Sequence, residues 1–522
     1  MKTVLLSGSN LSIEDIYAIA HDPAVKVKID PVALARVERS QKFLMTAMRE
    51  KIIYGVNTGF GPMASHIIGR DDLIALQKNL IHGHAVGMGK PVPESFVLAA
   101  MTVRLNTLLK GYSGISAGPL KYLAYFINER IVPVIPEHGA VGTSGDLVQL
   151  AHIGLTIIGE GEVFYKGKRQ STAAVLKKLN KTPYVLKEKE GLSLINGTSM
   201  MTGIAALMCV EAERLISVEI RNAACALESV HSFTDSISEQ LHAVRPHRGQ
   251  REVAKMLREL TASSKLMRTR KSFQDAFSLT NETHTITESV QEVYSFRCVA
   301  QVVGPILDIL RKVSNEVTIE VNSVTDNPIV DAKGKTFLHG GNFHGDYIAA
   351  GMDQLKASLV KLTILSERRN NFFMHRAINK LFPPFMNLKT PGLTMGLQGL
   401  QFVATSTTAR SQTLAFPQHV HSIPTNGDNQ DVVSMGTDAA ILTAEVVENA
   451  YIVLSIELIA LSQLAESVGK KKLYSMPAQA LIRDLQKIFP PIINDRELPH
   501  ELARVLQFVK NSAILEMQWH DK

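Results

Sequence analysis

The chain has 522 residues, of which 45% are hydrophobic and 20% are charged, and its net charge is +7. This composition is ordinary for a globular protein and supplies enough apolar material for a large core, which excludes disorder as the dominant state. Three cysteines are too few for a disulfide scaffold or a four-cysteine zinc site, and they favour a reduced, cytoplasmic compartment.

The basic residues do not indicate a nucleic-acid or membrane partner. The 56 Lys and Arg face 49 Asp and Glu. The basic clusters at 177–178, 268–271 and 470–472 are short and lack interleaved aromatics, so we interpret them as solvent-exposed faces. No segment predicts a signal peptide or a membrane span, because the apolar stretches 192–210 and 450–465 contain polar or charged residues.

The N-terminal third is dense in glycine and proline, which predicts short helices joined by shaped loops. A small hairpin is predicted at Val163–Lys168. We take residues 1–200 as an N-terminal domain that carries the candidate site.

Long helices are predicted after residue 200. Glycine and proline are absent from 204–245, 250–303, 352–382 and 437–468, and strands rarely run so long. Within the third stretch, apolar residues recur at steps of three and four, with Lys356 and other charged residues off that stripe. The predicted fold is all-α: residues 201–522 form an elongated helical bundle with a peripheral helical tail. Ser278–Ser289 is rich in Thr, Ser and Asn and predicts a loop inside the second stretch.

Residues 139–146, Gly-Ala-Val-Gly-Thr-Ser-Gly-Asp, are the most informative segment. A serine nucleophile elbow fails because Asp146 stands where the motif needs glycine, and a phosphate loop fails because no Gly-Lys-Ser/Thr follows. The unhindered nitrogen of Gly145 can instead attack the carbonyl carbon of Thr143. Loss of water, including the Ser144 hydroxyl, then gives an electrophilic methylidene-imidazolone. The alternative is a plain loop that caps a helix.

Other segments combine polar residues with glycine-rich loops. Tyr54 precedes a glycine-rich turn, and Asn196 lies at the start of a long helix. Tyr294 and Arg297 share a helix face at i, i+3. Arginine suits a bidentate grip on a carboxylate. Each segment also has a structural interpretation as a turn, a cap or a surface arginine. The remaining segments are the polar loops 340–346 and 426–431.

Together these segments resemble the aromatic amino-acid ammonia-lyase family, from about Tyr54 to Val468. The resemblance implies that Thr143, Ser144 and Gly145 cyclise to 4-methylidene-imidazole-5-one (MIO) with no external cofactor and no metal. The family usually has alanine where this chain has Thr143, so the ring would carry an added hydroxyl and methyl. The resemblance implies catalytic roles for Tyr54, Asn196, Tyr294 and Arg297. It also implies a substrate-binding set: Gly61, His84, Gln291, Arg297, Asn327, Phe343, Arg410, Asn429 and Gln430.

The substrate is predicted from two of these positions. Histidine lyases of the family bind imidazole through a Glu, where this chain has Arg410, which can only donate hydrogen bonds. A phenol oxygen can accept from Arg410 or His84. We therefore expect ammonia elimination from tyrosine or a hydroxylated analogue, giving a trans-2-enoate such as p-coumarate. The alternatives are histidine ammonia-lyase, an MIO-dependent 2,3-aminomutase, and an inactive scaffold. The family also implies a cytoplasmic homotetramer with shared active sites.

Overall fold

The protein was analysed as a computed structural model that describes residues 2–277, 281–286 and 288–517. It is 58% helical, with few strands and several long helices, so the predicted all-α class is confirmed. The longest helices have 29, 31 and 33 residues. The Thr/Ser/Asn-rich loop prediction holds where the structure describes it, at 281–286 and 288–289, which have no helix or strand. Residues 278–280 and 287 of that predicted loop lie outside the described residues.

The helices, in chain order, are α1 Ile13–His21, α2 Pro31–Ala47, α3 Leu73–His84, α4 Glu94–Leu108, α5 Ala117–Glu129, α6 Leu147–Ile157, α7 Thr172–Lys178, α8 Glu190–Ile195, α9 Ser199–Ser229, α10 Glu239–Ala243, α11 Arg248–Thr261, α12 Arg270–Gln274, α13 Tyr294–Arg297, α14 Val299–Val321, α15 Asp346–Met374, α16 Arg376–Asn379, α17 Gln398–Leu414, α18 Gly436–Val468, α19 Met476–Ile488 and α20 Pro499–Asn511. The strands are β1 Thr3–Leu6, β2 Lys26–Ile29, β3 Met88–Pro91, β4 Val132–Pro133, β5 Pro136–His138, β6 Glu162–Tyr165, β7 Lys168–Ser171, β8 Ile329–Asp331 and β9 Thr336–Leu338.

The strands form small ribbons. β1 pairs with β2 in parallel, and β3 with β5, β4 with β6, β6 with β7 and β8 with β9 pair antiparallel. The predicted hairpin is the β6–β7 pair, in which Tyr165 lies opposite Lys168.

The chain divides into two compact units. The first comprises Met1–Val210, Lys312–Gln354 and Pro417–Ala444, and the second comprises Glu211–Arg311, Leu355–Phe416 and Glu445–Lys522. The boundary that we infer from sequence between residues 200 and 201 stays a prediction.

Helix α4 forms the centre of the first unit. Every residue from Phe96 to Leu108 is buried, and most of them are apolar, although Arg104 and Asn106 are among them. Helices α1 and α5 pack against α4, while α3, α6 and α8 pack against one another. Helix α6 follows the segment 139–146 directly, and α8 ends just before Asn196. Packing of α6 on α8 therefore places these two segments at neighbouring helix ends.

The predicted stripe in α15 is confirmed, since Met352, Leu355, Leu359, Leu362 and Leu365 are all buried. Lys356 departs from the polar face expected for it, because it is fully buried. Its ammonium donates to the backbone oxygen of Phe416 at 3.0 Å, which satisfies a charge that the sequence pattern would leave in solvent. The stretch 250–303 is also less continuous than predicted, because α11 ends at Thr261 and α14 begins only at Val299.

Helix α18 is long and apolar enough to cross a membrane by length and composition, but 67% of its most apolar window is buried inside the protein. The buried core helix of a globular protein has the same composition.

Candidate active site

A tight turn at residues 142–145 contains the tripeptide that the sequence singles out. Gly142 and Gly145 pair across the turn, and both have positive φ, of 89° and 81°. Ser144 also lies in the left-handed region, at φ 51°, which is uncommon for a residue with a side chain. The turn thus folds Thr143, Ser144 and Gly145 into a compact, strained conformation.

Backbone contacts hold this turn against residue 197. The N–H of Gly197 donates to the carbonyl of Ser144 at 3.0 Å, and the N–H of Asp146 donates to the carbonyl of Gly197 at 2.8 Å. A Cβ at position 145 would lie 2.1 Å from the Gly197 carbonyl oxygen, and one at position 142 would lie 2.4 Å from Ser434 Oγ. Only glycine fits at either position.

Asp146 fixes the end of the turn from within the core. Its carboxylate accepts from the N–H groups of Met200 and Met201 at 2.8 and 3.0 Å and from the Thr437 hydroxyl at 2.6 Å. Burial raises the pKa of Asp146 to about 6, while these hydrogen bonds and the charge of Arg104 act in the opposite direction. The carboxylate thereby joins the turn to the first residues of α9 and α18.

Asn196 lies beside the turn, one residue before Gly197. Its side-chain nitrogen donates to Asp326 Oδ1 at 2.8 Å and to the carbonyl of Asn327 at 3.2 Å. The Asn327 side-chain oxygen in turn accepts from the N–H of Gly340. Two of the predicted site residues, Asn196 and Asn327, are therefore in direct contact.

Asp326 is itself paired with a buried lysine. Lys189 Nζ lies 2.8 Å from Asp326 Oδ2, and the two side chains are 0% and 1% exposed. Burial would raise the pKa of Asp326, but the charges of Lys189 and Arg104 outweigh burial and hold that pKa below its usual value. Burial lowers the pKa of Arg104 to about 10, so this guanidinium remains charged near neutral pH.

Tyr54 belongs to the same unit. Its hydroxyl oxygen accepts from the N–H of Gly61 at 3.0 Å, and its ring packs edge-on against Phe60. A Cβ at Gly61 would lie 2.3 Å from the side-chain nitrogen of Asn426. Tyr54 and Gly61, both predicted from sequence, thus meet each other, and the 426–430 loop approaches them.

The segment from Asn426 to Met435 touches both parts of this site. Its first residue lies near Gly61, and the N–H of Met435 donates to the carbonyl of Val141 at 3.1 Å. Gln430 pairs with Thr425 through backbone and side chain, which shapes the loop that carries Asn429. Phe343 lies half-buried in the 341–344 turn of the same unit.

The second unit carries Gln291, Tyr294, Arg297 and Arg410. Arg297 stacks on the ring of Tyr294, with 4.6 Å between the guanidinium carbon and the ring centroid. Arg297 Nε donates to the carbonyl of Glu292 at 2.9 Å, which leaves both terminal nitrogens without a carboxylate partner among the described residues. Tyr294 is 71% exposed, and Gln291 is exposed three residues before it.

A cation–π stack anchors the segment just before Tyr294. Phe233 lies between Arg268 and Arg270, whose guanidinium carbons are 4.5 and 4.0 Å from its centroid. Arg270 donates to the carbonyl of Val290 and Arg268 to Glu288. The interpretation of 268–271 as a purely solvated face is therefore incomplete, because two of its arginines hold the polypeptide that leads to Arg297.

The two predicted specificity residues have different surroundings. His84 is the last residue of α3, and its Nδ1 lies 2.8 Å from the carbonyl of Leu80. Since a carbonyl only accepts, Nδ1 carries the proton, and in the neutral ring Nε2 is a free acceptor. Arg410, 68% exposed in the second unit, pairs with Glu445, with Nε 2.6 Å from Oε1.

The chain belongs to the aromatic amino acid lyase family, whose model matches residues 11–487. It is 36% identical over 520 residues to histidine ammonia-lyase of Bacillus velezensis, covering 99% of this chain and 98% of that protein. It is 39% identical over 497 residues to tyrosine 2,3-aminomutase of Myxococcus sp. (strain Mx-B0), covering 94% of each. The structure of tyrosine aminomutase from Streptomyces globisporus superposes with a TM-score of 0.94 at 33% identity, over 98% of each chain.

The family defines the reaction class. The chain is an enzyme, a carbon–nitrogen lyase of the MIO family that acts on an aromatic amino acid. The resemblance drawn from the six sequence segments is thereby confirmed.

Sequence reasoning missed the charged residues behind the site. Lys189 and Asp326 are separated by 137 positions, and nothing in either local sequence indicates that they pair. Asp326 stands next to a predicted site residue, Asn327, and that adjacency is the one signal that could have drawn attention to it. Arg104 lies inside an apolar helix, where a lone arginine is a sign of a buried charge with a partner.

Proposed function

We propose that this enzyme is an MIO-dependent ammonia-lyase that converts tyrosine, or a ring-hydroxylated relative, to the trans-2-enoate, p-coumarate in the case of tyrosine. The observation that carries the proposal is the turn at 142–145, where Gly145 is pressed against Gly197 and Ser144 is held at positive φ. This conformation supports ring closure between the Gly145 nitrogen and the Thr143 carbonyl carbon.

The residues of the turn fit the MIO group. Glycine is sterically required at 142 and 145, and the hydroxyl of the adjacent Ser434 is buried without a hydrogen-bond partner among the described residues. The group supplies an electrophile that makes the substrate amine a better leaving group.

The other residues act on the substrate itself. Tyr54 reacts as the phenolate: its oxygen, oriented by the Gly61 N–H, takes the β-proton and becomes the neutral phenol. The electron pair of the C–H bond forms the double bond, and the amine leaves with the electron pair of the carbon–nitrogen bond. The terminal nitrogens of Arg297 bind the α-carboxylate side by side, which fixes the geometry of the reacting carbons. Asn196 and Tyr294 lie at the positions that the family uses beside the reacting amine.

His84 and Arg410 support the preference for a phenolic ring. The free Nε2 of His84 can accept the phenol O–H, which phenylalanine lacks. The sequence predicts that His84 donates a hydrogen bond to the phenol oxygen. Because Nδ1 donates to the carbonyl of Leu80, Nε2 is instead the acceptor, and the phenol O–H is the donor. Arg410 cannot accept from an imidazole N–H, but it is 68% exposed and paired with Glu445, so its effect on the choice of ring is smaller than that of a fully buried donor.

Two related activities compete with this proposal. A 2,3-aminomutase is favoured by the 39% identity to tyrosine 2,3-aminomutase, and histidine ammonia-lyase by the 36% identity to that enzyme. The first shares the tyrosine preference and differs in returning the amine to the β-carbon.

We also propose a cytoplasmic homotetramer with shared active sites. Three free cysteines support a reducing compartment. Large apolar side chains are exposed on and after α17, with Phe402 63% and Phe416 59% exposed, which supports contacts with other subunits. Light scattering at micromolar concentration tests this, and a monomer contradicts it.

The substrate is tested by incubating the enzyme separately with tyrosine, histidine and phenylalanine. Released ammonia and enoate absorbance measure the lyase, and chromatography of β-amino acids measures the mutase. We expect p-coumarate from tyrosine as the fastest product. Faster urocanate formation from histidine assigns a histidine ammonia-lyase, and β-tyrosine as the main product assigns an aminomutase.

Variants at the two specificity residues sharpen that result. Arg410→Glu raises histidine turnover relative to tyrosine by up to about tenfold, since it supplies an acceptor at an exposed position beside Glu445. Arg410→Gln is the matched control, because it removes the charge without supplying a carboxylate. His84→Phe lowers tyrosine turnover relative to phenylalanine. Unchanged substrate ratios in all three variants contradict the selectivity argument.

A further inference from the structure

The amide of Asn196 has a defined orientation. Its nitrogen donates both to Asp326 Oδ1 and to the Asn327 carbonyl, so the two amide hydrogens are used on one side. Its oxygen must then point the other way. Within the part of the chain that the structure describes, no group donates to that oxygen, and it is not among the fully buried side-chain atoms that lack a partner. Asn196 therefore presents an open acceptor.

This orientation depends on the ionisation of Asp326. A carboxylate only accepts, so it can bind the Asn196 nitrogen and never the oxygen. A protonated carboxyl can also donate, so it no longer requires the nitrogen of Asn196. The 3.2 Å bond to the Asn327 carbonyl is then the contact that still favours the present orientation. The charge on Asp326 is therefore the stronger of the two constraints on the amide.

Lys189 supplies the charge that keeps Asp326 ionised. It is fully buried, it lies 2.8 Å from Asp326, and its other contact is Ser193 Oγ at 3.3 Å. A second charged group that acts on Asp326 is Arg104, which donates to the carbonyl of Ser193 and also faces Asp146. Arg104 is thus shared between two carboxylates, whereas Lys189 contacts one.

We propose that Lys189 is a positioning residue: through Asp326, it holds Asn196 with its amide oxygen directed at the reacting amine. The inference rests on the proposed function, which places Asn196 beside that amine. An α-amino group carries N–H donors, and an acceptor oxygen orients its lone pair for reaction. Gly197, the residue after Asn196, is hydrogen-bonded to Ser144 and Asp146 in the turn. The Asn196 amide and the electrophile are therefore held by the same stretch of backbone.

The test is the pH profile of Lys189→Met. Without the lysine, burial raises the pKa of Asp326 with Arg104 as the remaining charge that opposes it, so the carboxyl takes up a proton at a higher pH than in wild type and its hold on the Asn196 amide weakens. We expect kcat about ten- to a hundredfold below wild type at the acid end, with recovery as the pH rises and Asp326 ionises again. Wild type lacks this limb, because Lys189 and Arg104 hold the pKa of Asp326 below its usual value, even though burial lowers the pKa of Lys189. Burial raises the pKa of Asp146 to about 6, so a limb from Asp146 is common to both proteins.

Two companion variants separate positioning from folding. Lys189→Met combined with Asp326→Asn removes both partners of the ion pair, and it should show lowered kcat with no pH dependence added to that of wild type, because position 326 no longer titrates. Lys177→Met removes an exposed lysine from α7 of the same unit and should leave kcat and its pH profile unchanged. Thermal melting and intact mass, measured at each pH, report folding and MIO content.

The outcomes separate this inference from the proposed function. A new pH limb in Lys189→Met, with wild-type mass and melting temperature, supports positioning through Asp326. The inference is overturned if kcat of the variant is unchanged or falls by the same factor at every pH. It is also overturned if the variant lacks the mass deficit that marks MIO formation. Failure of the proposed function is seen in wild type alone, as absence of ammonia release from every aromatic amino acid.

Discussion

The predicted site residues of the two units are held in different ways. Asn196, in the first unit, is fixed by the Lys189–Asp326 ion pair, whose side chains are at most 1% exposed. Arg297, in the second unit, follows a segment held by Arg268 and Arg270, which stack on Phe233 while their own side chains remain 36% and 32% exposed.

The difference reflects what each residue has to do. A buried ion pair is costly to form and very sensitive to loss of one partner, which makes it suitable for fixing one atom in one orientation. Exposed cation–π and ion-pair contacts are weaker, about 0.5–1 kcal/mol each. They hold a polypeptide segment in place while the terminal nitrogens of Arg297 stay free for a carboxylate.

The largest effect is expected from adding a side chain to Gly145 in the turn. In Gly145→Ala, the new Cβ meets the Gly197 carbonyl oxygen at 2.1 Å, and the residue has φ 81°. We expect complete loss of turnover and of MIO formation, measured by product assay and intact mass. Gly69→Ala is the control and should keep both, because Gly69 has φ −63° and the nearest atom to an added Cβ is 3.8 Å away. Full activity in Gly145→Ala would mean that the turn is not the reacting segment.

A smaller effect is expected at Arg297, in the second unit. Arg297→Met removes hydrogen bonds to a charged group, which are worth about 1.5–3 kcal/mol, so kcat/KM should fall about ten- to a hundredfold. Arg297→Lys keeps the charge but loses the paired donors, and it should retain an intermediate value. Steady-state kinetics measure both, and an unchanged KM in Arg297→Met would remove this residue from substrate binding.

The smallest effect is expected at the stack. Lysine at position 270 cannot pair with Asp235, donate to the Val290 carbonyl and lie on Phe233 all at once, as the arginine does. We expect KM to rise about two- to fivefold in Arg270→Lys, with kcat unchanged. Arg169→Lys, on the β6–β7 hairpin, is the control. A loss as large as that of Arg297→Met would show that the stack is not a weak support.

Much of the fold follows from local sequence. The absence of glycine and proline predicts α9, α15 and α18, and the three- and four-residue spacing predicts which side of α15 is buried. The turn at 142–145 and the pairing of Tyr294 with Arg297 are also local, so the sequence indicates them. These features depend on residues at most a few positions apart.

The ion pair and the cation–π contacts that hold the site residues could not be predicted, because their partners lie far apart in the sequence. A lysine is predicted to lie on the surface unless its partner is known, and the partner of Lys189 lies 137 positions away. Lys356 was assigned to a polar face for the same reason. Arg268 and Arg270 join a phenylalanine more than 30 positions earlier, at residue 233. Burial and charge compensation are properties of the folded chain.

Mass spectrometry of the purified wild-type chain tests the central claim most directly. Cyclisation of Thr143, Ser144 and Gly145 removes two water molecules. We predict a wild-type mass lower than the sequence mass by that amount, with the deficit confined to the peptide that contains these residues. The Ser144→Ala variant, which lacks the hydroxyl that forms the methylidene, should be inactive and should not carry this two-water deficit. A wild-type enzyme that releases ammonia while carrying its full sequence mass would contradict the account.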